Sequence, residues 1–244
     1  VRFVLHMLAG RKQEKLMIDF QREIAVQLGY QDDDKRLAVE HFMKAYYLCA
    51  RHVEQMNELL AQLFEENIIL AEQPKHITPI NRRFQVHNGY LETLNSGIFA
   101  FRPYAMLELF LILQQHSEIK GVRADTIRQL HAHLHLINDR FRADIQSRSL
   151  FMEIIRQTSS ISHEFRRMNK LGVLGAYLPM FGVIVGQMQH DLFHTYTVDE
   201  HTLFLVRNLR RFSCEEYKEE FPLCSDVFYQ LPKPELLYIA GLFH

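Results

Sequence analysis

The chain has 244 residues, of which 48% are apolar and 23% are charged, and its formal net charge is -1. This balance is typical of a soluble protein with enough material for one large domain or two smaller ones. A net charge near zero gives no electrostatic reason to bind nucleic acid or an anionic membrane surface, and no apolar run approaches the ~20 residues that span a bilayer.

The three cysteines, Cys49, Cys214 and Cys224, are scattered and show no CxxC spacing. This pattern disfavours a disulfide framework or a cysteine-rich zinc site, and it favours a reducing cytoplasm. The N-terminus lacks the architecture of a signal peptide. The sequence has no initiator Met and ends within a helical pattern. We therefore expect a piece cut from a longer protein.

Most of the sequence follows the three- and four-residue periodicity of helices. A helical segment is predicted over residues 3–28, closing at Gly29 as a C-cap. The acidic run 32–34 then opens the longest predicted helix, because its carboxylates can accept from free backbone N–H groups. We expect the apolar stripe of this helix to pack against other helices. The stripe consists of Ala38, Phe42, Ala45, Cys49, Val53, Met56, Leu60 and Leu63.

The pattern changes between about residues 68 and 100, where Pro74 and Pro79 interrupt the helical periodicity. Residues 83–94 alternate around Asn88-Gly89, a pair that tolerates the positive φ angles of a type I′ turn and predicts a small β-hairpin. The predicted fold is therefore an all-α, multi-helix assembly with one small hairpin. Further helices are predicted over 103–115, 123–137, 138–156, 159–171, 198–212 and 234–244.

Three histidines alternate at positions His131, His133 and His135. On a helix only His131 and His135 share a face, since they are four residues apart. Two histidines at this spacing can chelate zinc, but a catalytic site needs a third protein ligand, and none is evident nearby. Surface or packing roles are the favoured interpretation.

Residues 189–203 hold three histidines and two aspartates within a short stretch. Thr197, followed three residues later by Glu200, predicts a capping box and the start of a helix. This places His201 in the first turn, where we expect it to face inward with Leu205 and Phe212. Composition alone favours a buried, hydrogen-bonded histidine at this position over a metal ligand.

A final helix is predicted to start at Pro234, with an inner face running through Leu237, Ala240 and His244. Two helices that each bring one histidine to a shared core would form half of a metal site. Neutral imidazole nitrogens suit transition metals, and carboxylates would have to complete the ligand shell.

Residues 190–203 resemble the opening of the histidine–aspartate (HD) hydrolase domain of the bifunctional PII uridylyltransferase/uridylyl-removing enzymes. Residues 232–244 resemble the run that leads into the His-Asp pair of the same domain. Further segments resemble this family's helical region after the nucleotidyltransferase core and its connecting region: 5–11, 42–47, 119–124 and 166–175. The resemblance covers essentially the whole chain. It implies a helical domain over 1–188 and the truncated N-terminal part of an HD domain over 189–244.

The resemblance implies a cytoplasmic enzyme of nitrogen regulation that transfers UMP from UTP to the PII signal protein and hydrolytically removes it in response to glutamine. His201 and His244 match the two histidines of the HD metal site, which takes a divalent ion such as Mg²⁺ or Mn²⁺. Nothing in this sequence matches the family's Gly-Ser nucleotidyltransferase motif, its acidic ligands, the HD aspartates or the glutamine-sensing ACT domains. We therefore expect the fragment alone to be inactive, without a fully coordinated ion.

Two alternatives to this interpretation stay open. The first is a non-catalytic helical module that docks PII or couples the sensing and catalytic domains. The second is a different HD phosphohydrolase, which the upstream matches disfavour because they point to the uridylylating family.

Overall fold

A computed structural model describes residues 1–69, 74–157, 161–189 and 196–244. The chain forms two compact units, one of Val1–Val53 with Ile184–His201 and the other of Glu54–Val183 with Thr202–His244. No helix within the described ranges is long and apolar enough to cross a membrane. The family matches at His190, Asp191 and His194 lie outside the described residues. The domain boundary at 188/189 and the truncated HD core both stay predictions.

The first unit begins with two helices, α1 (Arg2–Ala9) and α2 (Ile18–Gln27). The expected single helix over 3–28 is therefore wrong. Gly10 ends α1 because it adopts a left-handed conformation, with a φ of 62°, that glycine takes at low cost. The core of this unit consists of Leu5, Ile24, Ala25, Ala38, Val39, Phe42, Met43 and Met188.

The longest helix, α3 (Ala38–Phe64), confirms the predicted long helix and continues into a π-helical turn at Glu65–Ile69. As predicted, the acidic run supplies hydrogen-bond acceptors to backbone N–H groups at and just before the start of the helix. An Asp32 side-chain oxygen accepts from the Ala38 backbone N–H at 2.6 Å. An Asp33 oxygen accepts from the N–H groups of Lys35 and Arg36, each at 2.8 Å.

The apolar stripe of α3 is buried only in its first turns, so the expectation that the whole stripe packs is wrong. Ala38 and Phe42 are buried in the core of the first unit. Farther along the helix, Ala45, Cys49, Val53 and Leu60 are exposed. The periodicity predicted the helix, but it did not show what covers its second half.

The hairpin is confirmed, but it belongs to a larger sheet than the single hairpin that was expected. Strands β2 (Phe84–His87) and β3 (Tyr90–Thr93) pair antiparallel, and the turn residues Asn88 and Gly89 have φ angles of 51° and 87°. β1 (Ile77–Pro79) pairs antiparallel with β2, and β4 (Gly121–Val122) pairs parallel with β3. The outer strands have three and two residues, too short to show an alternating pattern.

Helix α5 (Ala105–Gln115) is buried along nearly its whole length, and the helices Ile145–Arg156 and Ile161–Lys170 pack against it. Most of the longer helices fall within the predicted segments. No helix was predicted over residues 98–101, 173–184 or 222–229, and the 3₁₀ turn at Glu215–Tyr217 was not predicted either. The other helices are α4 (Ile98–Phe101), α6 (Ala124–His133) with a 3₁₀ turn at Leu134–Leu136, α7 (Asp139–Ala143), α8 (Ile145–Arg156), α9 (Ile161–Lys170), α10 (Val173–Tyr177), α11 (Pro179–Ile184), α12 (Val198–Arg211), α13 (Pro222–Tyr229) and α14 (Glu235–Leu242).

Candidate metal ligands and neighbouring polar sites

His201 lies in the first turn of α12, which begins at Val198 as predicted, but its side chain is exposed. The buried residues of this helix are Asp199, Thr202, Leu203 and Val206. They follow a spacing of three, four and seven residues from Asp199, which defines the inner face. His201 is offset from this stripe, so the expectation that it faces inward with Leu205 and Phe212 is wrong.

Asp199 is the charged residue at the start of α12 that sequence reasoning did not single out. It is 2% exposed, and its side chain accepts a hydrogen bond from the Gly186 backbone N–H at 3.0 Å. The Arg51 guanidinium lies 3.5 Å from its second carboxylate oxygen. Buried carboxylates are stable only when paired and hydrogen-bonded in this way. Asp199 therefore fixes the first turn of α12, which also carries His201, against α3.

Lys44 adds to the positive charge on this part of α3. Burial lowers its pKa, the nearby Arg36 lowers it further, and Asp199 opposes both effects. The Arg36 guanidinium donates to the Gln187 side chain at 2.9 Å. These contacts attach the segment that precedes α12 to α3 within the first unit. A sequence signal for Asp199 was available, since it shares the helical spacing of Thr202 and Leu203.

His244 follows the end of α14 at Leu242, and its side chain is exposed. The buried residues of α14 are Tyr238, Gly241 and Leu242. Ala240, which was expected on the inner face, is exposed. The predicted inner face is therefore wrong by about a third of a turn, and the helix ends before it reaches the histidine.

The second unit brings α12 and α14 into contact at Gly241. A Cβ atom added there would lie 2.8 Å from the Leu209 side chain and 3.5 Å from that of Val206. The absence of a side chain at Gly241 lets the two helices approach closely.

Within the described ranges, no group of three or more histidine, cysteine, aspartate or glutamate side chains is arranged to hold a metal ion. The described residues thus do not fit a complete metal site. The assignment of His201 and His244 as ligands stays a prediction. Imidazole donors favour a transition ion such as Mn²⁺ over Mg²⁺, which prefers oxygen ligands.

The three alternating histidines have packing partners instead of a metal-ligand arrangement. α6 ends at His133, and the chain tightens into the 3₁₀ turn that contains His135. The rings of His133 and His135 stack at 6.3 Å between centroids, and His133 Nδ1 lies 2.7 Å from the Gln129 carbonyl oxygen. The expected helical face of His131 and His135 is wrong because the α-helix does not continue to His135.

A polar network surrounds Arg123, in the segment 119–124 that carries part of the family resemblance. The guanidinium lies 3.0 Å from Glu66 and 3.2 Å from Glu92, and it contacts His87 Nδ1 at 3.1 Å. Glu66 also accepts from the Ala124 backbone N–H at 2.9 Å. The network joins the turn after α3, the sheet and α6. Its charges are paired with one another, as expected of a structural contact.

Two family profiles match separate parts of the chain. The profile described as "Uridylyltransferase GlnD third domain" matches residues 84–177, which hold the β2–β3 hairpin and helices α4–α10. The profile "GlnD PII-uridylyltransferase" matches residues 1–61. Both profiles describe GlnD uridylyltransferases, so the two matched segments are similar to parts of such enzymes.

Relatives that match the whole chain agree with these profiles. The bifunctional uridylyltransferase/uridylyl-removing enzyme of Nitrosococcus oceani is 58% identical over all 244 residues. The enzymes of the same name from Pseudomonas savastanoi pv. phaseolicola and Pseudomonas aeruginosa are 53% and 52% identical over the same length. The chain belongs to this family of bifunctional enzymes, and it spans 27% of the length of these relatives. No solved structure matches it.

Proposed function

We propose that this chain is a segment of an enzyme that uridylylates the PII signal protein with UTP and removes UMP from it hydrolytically in response to glutamine. The observation that carries the proposal is the identity of 52–58% along the whole chain with relatives named for both activities. Identity at this level, without a gap in coverage, supports a common role for the segment. The 244-residue chain alone would be inactive.

Within this proposal His201 and His244 are two ligands of the hydrolase metal site in the full-length enzyme. A bound divalent ion would supply an activated water for attack on the phosphodiester. The chain's described contacts concern the helices on which the two histidines lie, each within its own unit. Asp199 fixes the first turn of α12 through Gly186 and Arg51, and Gly241 lets α14 approach α12.

The proposal also places the protein in the cytoplasm, where PII and UTP would be available. The support comes from the thiols. Cys49, Cys214 and Cys224 are all free, and Cys49 and Cys224 are exposed. Free thiols of this kind are typical of a reducing compartment.

The experiment that tests the proposal replaces His201 or His244 with Asn in the full-length enzyme. Each change should lower the rate of UMP removal by at least about 100-fold, because a site that lacks one ligand loses metal affinity. Transfer of UMP to PII should be largely unchanged, since the resemblance assigns it to a separate upstream site. Both rates are measured with radiolabelled UMP on purified PII.

The matched control is His52→Asn, which removes an exposed histidine of α3 and should leave both rates unchanged. Metal binding to the same variants, measured by calorimetry, separates loss of the ion from misfolding. Removal of UMP at the unmodified rate by His201→Asn would show that His201 is not a ligand.

A second candidate function is a non-catalytic module that docks PII or couples the sensing and catalytic domains. Leu60 and Phe64, one turn apart in α3, are 65% and 56% exposed, so they present apolar surface that a partner could cover. Replacing both with Ser in the full-length enzyme should weaken PII binding or glutamine control if this function holds. This candidate function fails if the variant binds PII and responds to glutamine as the unmodified enzyme does.

A further inference from the structure

A cavity of about 440 Å³ opens on the second unit between the start of α5 and the starts of α7 and α8. Its lining includes Arg102, Tyr104, Asn138, Arg140 and Phe141. An adjoining cavity shares Arg102, Tyr104 and Gln146 with it and adds Arg82. The volume lies within the range of small-molecule sites, about 300–1,000 Å³. Neither His201 nor His244 lines either cavity.

Three arginines of this paired cavity have no charged partner. Arg82, Arg102 and Arg140 are exposed, and their guanidinium groups make no ion pair or hydrogen bond with any of the described residues. In contrast, many other arginines of this nearly neutral chain are ion-paired, among them Arg123, Arg142 and Arg167. Like charges on one concave surface repel each other, so the lining is arranged for an anion that would neutralise them.

A fourth arginine at the same place provides an internal comparison. Arg83 also lines the adjoining cavity, but both arms of its guanidinium donate to the buried Glu108 at 2.5 Å. Its charge is therefore already neutralised. Arg83 thus pairs with a buried carboxylate of the fold, whereas the guanidinium groups of Arg82, Arg102 and Arg140 do not.

Local sequence determines where two of these arginines lie. Pro103 restricts the preceding residue to extended conformations, so α4 ends at Arg102 and the chain turns into α5 there. Asn138 caps α7 by accepting from the Phe141 backbone N–H, which puts Arg140 in the first turn of that helix. Arg102 and Arg140 thus reach one cavity from two capped helix boundaries.

Aromatic rings accompany the arginines. Phe101 lines the cavity and is 81% exposed, although burying a phenylalanine side chain is favourable in free energy. Tyr104 lines both cavities, and the Arg83 guanidinium lies over its ring at 5.5 Å. An exposed ring beside guanidinium groups is the combination that binds a planar base next to phosphate groups.

From these observations we propose that the cavity binds a nucleoside polyphosphate, with Arg82, Arg102 and Arg140 on the phosphates and Phe101 against the base. Guanidinium groups suit this role because they bind phosphate oxygens in pairs. Asp144 is the one acidic residue of the first cavity's lining. Its carboxylate accepts from the Ser147 N–H and hydroxyl at 2.8 and 3.0 Å, so it is used as the N-cap of α8.

The test measures binding of UTP to the 244-residue chain by calorimetry, with ATP, pyrophosphate and uridine as comparison probes. Arg102→Gln and Arg140→Gln should each weaken UTP binding by at least about tenfold, because each removes a charge-assisted contact to phosphate. Phe101→Ala should weaken UTP binding more than pyrophosphate binding. Binding should also weaken as the salt concentration rises.

The matched control is Arg22→Gln, which removes an exposed arginine of α2 and should leave UTP affinity unchanged. Circular dichroism checks that each variant is folded, and the separate Arg102 and Phe101 variants keep the test usable if one of them is not. Three results would overturn the proposal: UTP binding unaffected by the arginine variants, pyrophosphate binding as tight as that of UTP, or binding of a glutamate-rich peptide but not of UTP. None of these results depends on PII or on the metal ligands.

Discussion

Glu164, in α9, is 2% exposed, and its carboxylate accepts from Arg167 at 2.9 and 3.1 Å. Burial raises its pKa from 4.5 to about 7, and the Arg167 guanidinium opposes this shift without cancelling it. Between these pH values the folded protein holds a proton that the unfolded chain has released. The stability that this proton contributes is therefore present below about pH 4.5 and is lost as the pH rises through 7.

We expect Glu164→Gln to remove this pH dependence. The free energy of unfolding of the unmodified chain, relative to that of the variant, should fall by about 2 kcal/mol between pH 5 and pH 8. Urea unfolding at several pH values measures the difference. Glu153→Gln, on the exposed side of α8, is the control and should show no such trend. The prediction would be contradicted if the difference in unfolding free energy between Glu164→Gln and the unmodified chain stayed constant from pH 5 to pH 8.

The positions of His201 and Asp199 show what local sequence leaves undetermined at the scale of single residues. The capping-box pattern of Thr197 and Glu200 predicted that α12 begins near Thr197, because that signal is local. Which face of the helix is buried depends on Arg51 and Gly186, which contact Asp199 from distant points of the chain. One sequence does not identify these partners. The family resemblance identified His201 without indicating how its side chain is oriented.

The secondary-structure elements repeat this division between local and non-local causes. The β2–β3 hairpin was predictable because the Asn88-Gly89 pair requires the positive φ angles that the turn adopts. β4 was not predictable, since its two residues form a strand only by pairing with Tyr90 and Leu91. α1 and α2 separate after Ala9, and residues 10–15 between them contain no apolar side chain, a local signal that the prediction of one helix over 3–28 overlooked.

The start of α3 gives a prediction at the scale of an element. Asp32 accepts from the Ala38 backbone N–H at 2.6 Å, and this N–H would otherwise lack a partner at the helix start. Asp32→Ala should therefore lower the free energy of unfolding by about 1 kcal/mol. Chemical unfolding followed by circular dichroism gives this value.

The neighbouring Asp34→Ala is the control for the cap. It removes the same charge from the same acidic run, and Asp34 makes no hydrogen bond with the described residues. It should change the free energy of unfolding by less than about 0.5 kcal/mol. Equal losses for the two variants would show that the helix dipole, and not the Asp32 hydrogen bond, stabilises the start of α3.

At the scale of the whole molecule, the chain spans 27% of the length of its relatives. Its exposed apolar residues on α3, such as Leu60 and Phe64, and the exposed His201 and His244 are consistent with a segment that has further contacts in the full-length enzyme. The family could be recognised from sequence because long segments match it. The coordination geometry could not, because the two histidines predicted as ligands, His201 and His244, lie far apart in the sequence.

The 244-residue chain itself should neither transfer UMP to PII nor remove it. Both reactions need a metal held by several donors, and no described group of three or more metal-ligating side chains is arranged for this. The sequence also contains no match to the family's Gly-Ser nucleotidyltransferase motif. The chain is incubated with PII and radiolabelled UTP, or with radiolabelled PII-UMP, each with Mg²⁺ or Mn²⁺ and with or without glutamine. The full-length enzyme, assayed in parallel, shows that the substrates are competent. Label that appears on PII, or leaves it, at a rate proportional to the concentration of this chain would refute the prediction and would place a complete catalytic site within these residues.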